Sequence, residues 1–127
     1  MTMHPGVPSI SAADAAAATD PGAAADPATR PLIVDVRERN EFEQERVDGV
    51  VLLPISEFVA RHQELPKDRP LLMLCAAGSR STSATMYLLQ GGWTDVRNIT
   101  GGMIGWRQAG LPIRTGPTEP GEGPLPG

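Results

Sequence analysis

The chain has a single cysteine, Cys75, so no internal disulfide can form. Nothing in it calls for an oxidising compartment, and a thiol kept reduced for chemistry fits the cytoplasm. Histidine is nearly as scarce. His4 and His62 have no acidic or cysteine neighbours at ligand spacing, which predicts no metal site. Apolar runs are no longer than a strand, which excludes a membrane-spanning helix. The segment from Met1 to Pro31 is small, acidic and broken by Pro and Gly, and is expected to be neither a signal peptide nor a membrane span. Basic residues are few and scattered among acidic ones, and the net charge is -4. No electrostatic footprint for nucleic acid or an anionic membrane is present.

What remains suffices for one domain. At 127 residues and 40% hydrophobic, the chain can bury one core and no second domain of ordinary size. Residues 1–8 carry no periodic signal and read as a flexible arm. Residues 9–114 form the folded unit. Residues 115–127, mostly Gly, Pro and Glu, read as a disordered tail too poor in apolar groups to offset its ordering entropy.

Within the folded unit, short apolar runs alternate with helical patterns. Ser11 is placed to cap a short helix over Ala12 to Ala18, followed by an Ala-rich loop to Arg30. Leu32 to Val36 is a β-branched strand with a carboxylate near its C-terminal end, and Arg39 to Glu45 is a polar helix with Phe42 turned inward. Val50 to Leu53 is a strand, and Ser56 caps a helix reaching about Gln63. Leu71 to Leu74 is a strand without polar alternation, as in a parallel sheet covered on both faces, and Ser81 to Gln90 is a helix. Val96 to Ile99, the turn Gly101-Gly102 and a helix from Met103 to Ala109 close the unit. The alternation predicts an α/β fold with a mainly parallel central sheet and helices on both faces.

The chemistry concentrates in Cys75-Ala76-Ala77-Gly78-Ser79-Arg80-Ser81. A thiol at the end of a buried strand, followed by small residues and then a helix, sits where the amides of Ala76, Ala77, Gly78, Ser79 and Arg80 can converge on an anion. Those amides, the helix N-terminus and the Arg80 guanidinium all favour thiolate over thiol, and the thiolate is the nucleophile. Arg80 is placed either to contact an anionic ligand or to brace the loop. Asp35 and Arg37 lie at a strand's C-terminal end and read as an ion pair supporting the loop. Ser79 reads as a small loop residue and Ser81 as a helix cap. Trp93 and Trp106 read as packing for the closing elements.

These residues resemble the rhodanese (sulfurtransferase) family in its single-domain form. The likeness rests on Asp35-Val36-Arg37-Glu38, Glu41-Phe42, Val47-Asp48-Gly49, the Cys75 to Ser81 loop, Gly101-Gly102-Met103 with Trp106, and Ala109-Gly110-Leu111-Pro112, in family order from about Ser11 to Arg114. The resemblance implies a rhodanese-like fold and a sulfurtransferase without a cofactor. In it Cys75 takes a sulfane sulfur from thiosulfate or a low-molecular-weight persulfide, holds it as a persulfide and passes it to cyanide or a thiol. A protein persulfide is a further class of donor or acceptor. One departure is Arg46, which replaces a histidine common in relatives.

Two alternatives compete. A rhodanese-like binding or regulatory module would keep the fold without turnover, although such domains usually lack the cysteine. A cysteine phosphatase or arsenate reductase is disfavoured by loop length: only four residues separate Cys75 from Arg80, one fewer than in the related phosphatases, leaving a narrower ring of amides. With Arg80 the loop's sole cation, a dianionic donor such as thiosulfate is expected to bind weakly.

Overall fold

The computed structural model describes residues 7–22, 26 and 28–125. The elements run β1 (Ser9–Ile10), α1 (Ala12–Thr19), β2 (Leu32–Asp35), α2 (Arg39–Gln44), β3 (Glu45–Arg46), β4 (Val51–Leu52), α3 (Ile55–Arg61), a 3-10 turn (His62–Glu64), β5 (Leu71–Leu74), α4 (Ser79–Gln90), β6 (Val96–Ile99), α5 (Gly102–Gln108) and β7 (Arg114–Thr115). Five strands form one parallel sheet in the order β1-β6-β5-β2-β4. The α/β fold with a parallel sheet is as the sequence predicts.

The sheet is covered on both faces because its central strands are apolar on both. Along β2 and β5, Leu32, Val34, Leu71 and Met73 face α3 and α4, where Phe58, Ala84 and Leu88 cover them with Trp93. Ile33, Leu72 and Leu74 face the other way, against Ala12 and Ala15 of α1, Phe42 of α2 and Met103 and Trp106 of α5. Each fully buried Leu or Met in these layers contributes about 1.5–3 kcal/mol of burial free energy. The two tryptophans pack as expected, each with its indole N–H bonded to a carbonyl: Trp93 to Pro66 at 3.1 Å and Trp106 to Pro112 at 2.9 Å.

The topology fixes where a ligand can bind. After β2 the chain moves to β4 on one side and then crosses to β5 on the other, so the strand order reverses between β2 and β5. A crevice opens at the C-terminal ends of strands at such a switch point. Asp35 pairs in register with Leu74, which places Asp35-Val36-Arg37 and Cys75 side by side there.

Several boundaries differ from the sequence reading. Helix α4 begins at Ser79, two residues early, because Gly78 adopts φ 111 and serves as its N-cap. Helix α3 is capped by Pro54 and not by Ser56, whose amide and hydroxyl instead donate to the Glu38 carboxylate at 3.1 and 2.7 Å. The expected arm is anchored from residue 7 onward: Val7 is buried, the Pro8 carbonyl accepts from Asn98 N–H at 2.8 Å, and β1 extends the sheet beside β6. Residues 1–6 lie outside the described residues.

The tail differs most. Rather than lacking structure, it folds back over α2 and β4. Thr115 pairs with Glu45 across β3 and β7, the Gly123 carbonyl accepts from Leu52 N–H at 2.8 Å, and Leu125 packs on the core. The physical reason is Arg46, which is 1% exposed. Its guanidinium donates to both Glu122 carboxylate oxygens (2.9 and 2.8 Å) and to the carbonyls of Gly116 (2.7 Å) and Pro117 (3.2 Å). A buried charge needs such partners; the tail supplies the carboxylate and the nearer carbonyls, and α2 adds only the carbonyls of Phe42 and Glu43, both at 3.5 Å. Residues 126–127 lie outside the described residues.

Candidate active site

Cys75 follows β5 directly and is 1% exposed, whereas Ala77 and Ser79 of the loop above it are exposed. The Gly78 N–H donates to Sγ at 3.0 Å, and the Ser81 hydroxyl lies 3.2 Å from Sγ. Of the loop amides expected around the sulfur, only that of Gly78 bonds to it. Its positive φ turns the N–H back toward the sulfur while the same residue starts α4, a conformation that favours glycine. Helix α4 thus begins one turn from the thiol, with its positive end on that side.

Ser81 is not the helix cap expected. It lies in the first turn of α4, fully buried, and its hydroxyl reaches Asn98 Oδ1 at 2.5 Å and the Gly78 carbonyl at 3.2 Å as well as the sulfur. Thr82 and Thr85 return their hydroxyls to the carbonyls of Gly78 and Ser81, which lets a Ser/Thr-rich helix bury that face.

The underside of the loop rests on α5. Met103 N–H donates to the Cys75 carbonyl at 2.8 Å and Ile104 N–H to the Ala76 carbonyl at 3.1 Å. With those carbonyls drawn down, the next amides are free to turn upward. Gly102 makes the approach possible: a Cβ there would stand 2.3 Å from the Cys75 oxygen and 2.7 Å from the Ala76 carbonyl carbon, at φ 56.

Asp35 and Arg37 form the expected ion pair, both buried. Arg37 Nε and Nη2 grip the carboxylate at 2.7–3.1 Å, and the Arg37 amide bonds Oδ1 at 3.0 Å. The remaining donors reach the carbonyls of Glu41 (3.3 Å) and Glu45 (2.8 Å), so the pair anchors α2 and not the cysteine loop itself. The loop's brace is Arg80, bound by both oxygens of Glu41 at 2.7 and 2.9 Å. This fork, aided by the Glu38 amide and opposed by partial burial, holds the Glu41 carboxyl down at about 2.

Beside Ala76 opens a pocket of about 200 Å³ whose rim carries Arg37, Glu41, Glu45, Ile104 and Arg107. Arg107 is paired with Glu45. Each guanidinium at this mouth therefore has a carboxylate partner. Among the described residues no cluster of His, Cys, Asp and Glu could hold a metal ion. None of the helices described is long and apolar enough to cross a membrane.

The sequence-predicted residues Cys75, Ala76, Ala77, Gly78, Ser79, Arg80 and Ser81 thus come together at one strand end, with Asp35 and Arg37 beside them supporting α2. Sequence reasoning missed Glu41, Gly102 and Asn98 as parts of the site. A carboxylate three residues after Glu38 at a helix start is a recognisable capping pattern. Asn98 left a fainter signal, a lone amide in the strand Val96-Arg97-Asn98-Ile99.

The comparisons with known proteins agree with this architecture. Residues 14–109 match the rhodanese-like domain family. A sulfurtransferase of Allochromatium vinosum is 40% identical over 82 residues, covering 65% of this chain and 77% of its own. The thiosulfate sulfurtransferase GlpE of Shewanella oneidensis is 34% identical over 77 residues, covering 61% and 76%. The crystal structure of a rhodanese-related protein from Thermoplasma volcanium superposes with a TM-score of 0.71 at 28% identity, covering 84% of this chain and 97% of that one. A thiol at the switch point of a parallel sheet and the match over nearly the whole folded unit lead to one conclusion: the chain belongs to the rhodanese-like domain family, whose sulfurtransferase-named members connect it with sulfur transfer.

Proposed function

We propose that this protein is a sulfurtransferase that loads a sulfane sulfur onto Cys75 and delivers it to a thiophilic acceptor. The observation that carries the reading is the sulfur's setting: a buried thiol receiving the Gly78 N–H at 3.0 Å, beside the Ser81 hydroxyl and the N-terminus of α4. Donors fixed in place around a sulfur stabilise charge there at no reorganisation cost during the reaction.

In the first half-reaction the Cys75 thiolate attacks the outer sulfur of the donor. An Sγ–S bond forms, the donor's S–S bond breaks, and sulfite or a thiolate leaves with the electron pair. In the second, cyanide or a thiolate attacks that outer sulfur, and the pair of the Sγ–S bond returns to Sγ. Ala76, Ala77, Gly78 and Ser79 are small enough to let the donor approach, and no step draws on a cofactor.

The charge balance of the mouth favours one donor class. Arg80 and Arg107 are occupied by Glu41 and Glu45, so thiosulfate finds no free guanidinium, whereas a zwitterionic low-molecular-weight persulfide brings its own compensating charges. A protein persulfide is a further candidate donor or acceptor, and the cytoplasm suits a reduced thiol. The occupied Arg80 also weighs against a phosphatase, which needs that fork for the phosphoryl oxygens. The test is thiocyanate formation from cyanide with thiosulfate or glutathione persulfide as donor. Turnover with both, a lower KM for the persulfide and none in Cys75→Ser is expected; no turnover with any sulfane donor overturns the reading.

A further inference from the structure

We propose that Asn98 is a positioning residue for Cys75, acting through Ser81 by turning its side-chain amide as the sulfur changes charge. The inference rests on Cys75 serving as the nucleophile, and its test needs no sulfur transfer.

Ser81 has one hydroxyl proton and three acceptors in reach: Asn98 Oδ1 at 2.5 Å, Cys75 Sγ at 3.2 Å and the Gly78 carbonyl at 3.2 Å. The shortest contact takes the proton. Its lone pairs then face the sulfur, and the chain runs outward, from S–H to Ser81 Oγ and from Ser81 O–H to Asn98 Oδ1. This is the arrangement of a thiol.

Ionisation reverses the need. The S–H is gone, and a thiolate at 1% exposure requires donors in its place. If Ser81 turns its proton to Sγ, its oxygen is left lone pair to lone pair against Oδ1 at 2.5 Å, which is repulsive. A half-turn of the Asn98 amide replaces Oδ1 with Nδ2–H, and the chain then runs inward: Nδ2–H to Ser81 Oγ, Ser81 O–H to Sγ. Asn98 Nδ2 makes no hydrogen bond to a described residue, so the turn breaks no other bond. The sulfur and the Ser81 hydroxyl are satisfied in both states. The inward chain serves the attacking thiolate and the step in which the electron pair returns to Sγ.

No charged neighbour hydrogen-bonds to the sulfur among the described residues. Arg80 on α4 is bound to Glu41, Asp35 on β2 to Arg37, and Arg107 on α5 to Glu45, while Arg97 on β6 is exposed. Each buried or half-buried charge facing the site is balanced by a partner, so Arg80 acts on Cys75 only through space and the hydrogen bonds to the sulfur come from neutral groups.

The single cysteine makes the experiment clean. Thiolate absorbance in the ultraviolet is titrated with pH for the parent, Asn98→Ala, Ser81→Ala and the double variant, subtracting Cys75→Ser, with folding followed by circular dichroism. Each single variant is expected to hold about threefold to tenfold less thiolate at a given pH below the midpoint, the worth of one hydrogen bond. The double variant should match Ser81→Ala alone. An Asn98→Ala protein with lower Tm and an unchanged titration, or effects that multiply in the double variant, overturns the proposal. Should Asn98→Ala not fold, Asn98→Asp keeps the shape but can only accept. It is expected to raise the titration more in the parent than in Ser81→Ala, and equal shifts in both overturn the proposal.

Discussion

The cysteine loop and the C-terminal tail are both irregular, both rich in small residues, and held by opposite means. The loop is fixed by many short-range bonds and a few braces: Gly78 and Thr82 bond to atoms at most four positions away, Ser81 reaches Cys75 and Asn98, Arg80 is held by Glu41, and α5 adds two amides from below. The tail is fixed by one distant cation, since Arg46 reaches Glu122 across 76 positions and gathers the carbonyls of Gly116 and Pro117 besides. The loop's order serves reactivity and the tail's order serves stability, so substitutions should separate the two.

The largest effect expected in the loop is from Cys75→Ser, which removes all sulfur loading and leaves the thermal unfolding midpoint nearly unchanged, because serine keeps the size and the Gly78 hydrogen bond. Next is Gly102→Ala. Its Cβ has no space below the Cys75 carbonyl, so the loop and α5 must separate. A loss of about 2–4 kcal/mol in denaturant unfolding is expected, with transfer activity falling at least in proportion. A Gly102→Ala protein of parent stability would contradict the α5 support drawn here.

Removal of the tail after Thr115 should do the reverse. Arg46 loses its carboxylate and two carbonyls while Cys75 keeps every contact, so Tm drops by several degrees and the turnover number stays within about twofold. A collapse of turnover at unchanged Tm would erase the distinction between the two regions. A smaller effect is expected of acid. Glu41 and Glu122 are both held at about 2, below the ordinary 4.5, by Arg80 and Arg46. Groups depressed in the folded state contribute stability that is full above about pH 4.5 and lost as pH falls toward 2. Unfolding followed against pH should therefore be flat above about pH 5, and Glu122→Gln should remove the tail's share of the acid sensitivity without touching the loop's.

The same contrast explains what could be read from the sequence. The parallel sheet was legible because Leu32 to Val36 and Leu71 to Leu74 are apolar without alternation, and the cysteine loop because its chemistry is local. From sequence alone α4 starts two residues late because Gly78 looks like loop, whereas its positive φ makes it the cap. Ser81 looks like a cap because hydroxyls commonly sit there; only the packing of α4 on β6 shows it facing Asn98 and the sulfur. The order of the tail is not legible in its composition, which shows few apolar residues and says nothing of Glu122 meeting a buried arginine 76 positions away. The brace of Arg80 on Glu41 was hidden in the same way, 39 positions apart.

The most direct test of the central claim is the intact mass of the purified protein after incubation with sulfane donors, beside Cys75→Ser, before and after cyanide. A gain of one sulfur atom, absent from the variant and removed by cyanide, is the predicted result. A protein that gains no sulfur from any donor, or gains it equally without Cys75, contradicts the claim that this thiol is the sulfur carrier.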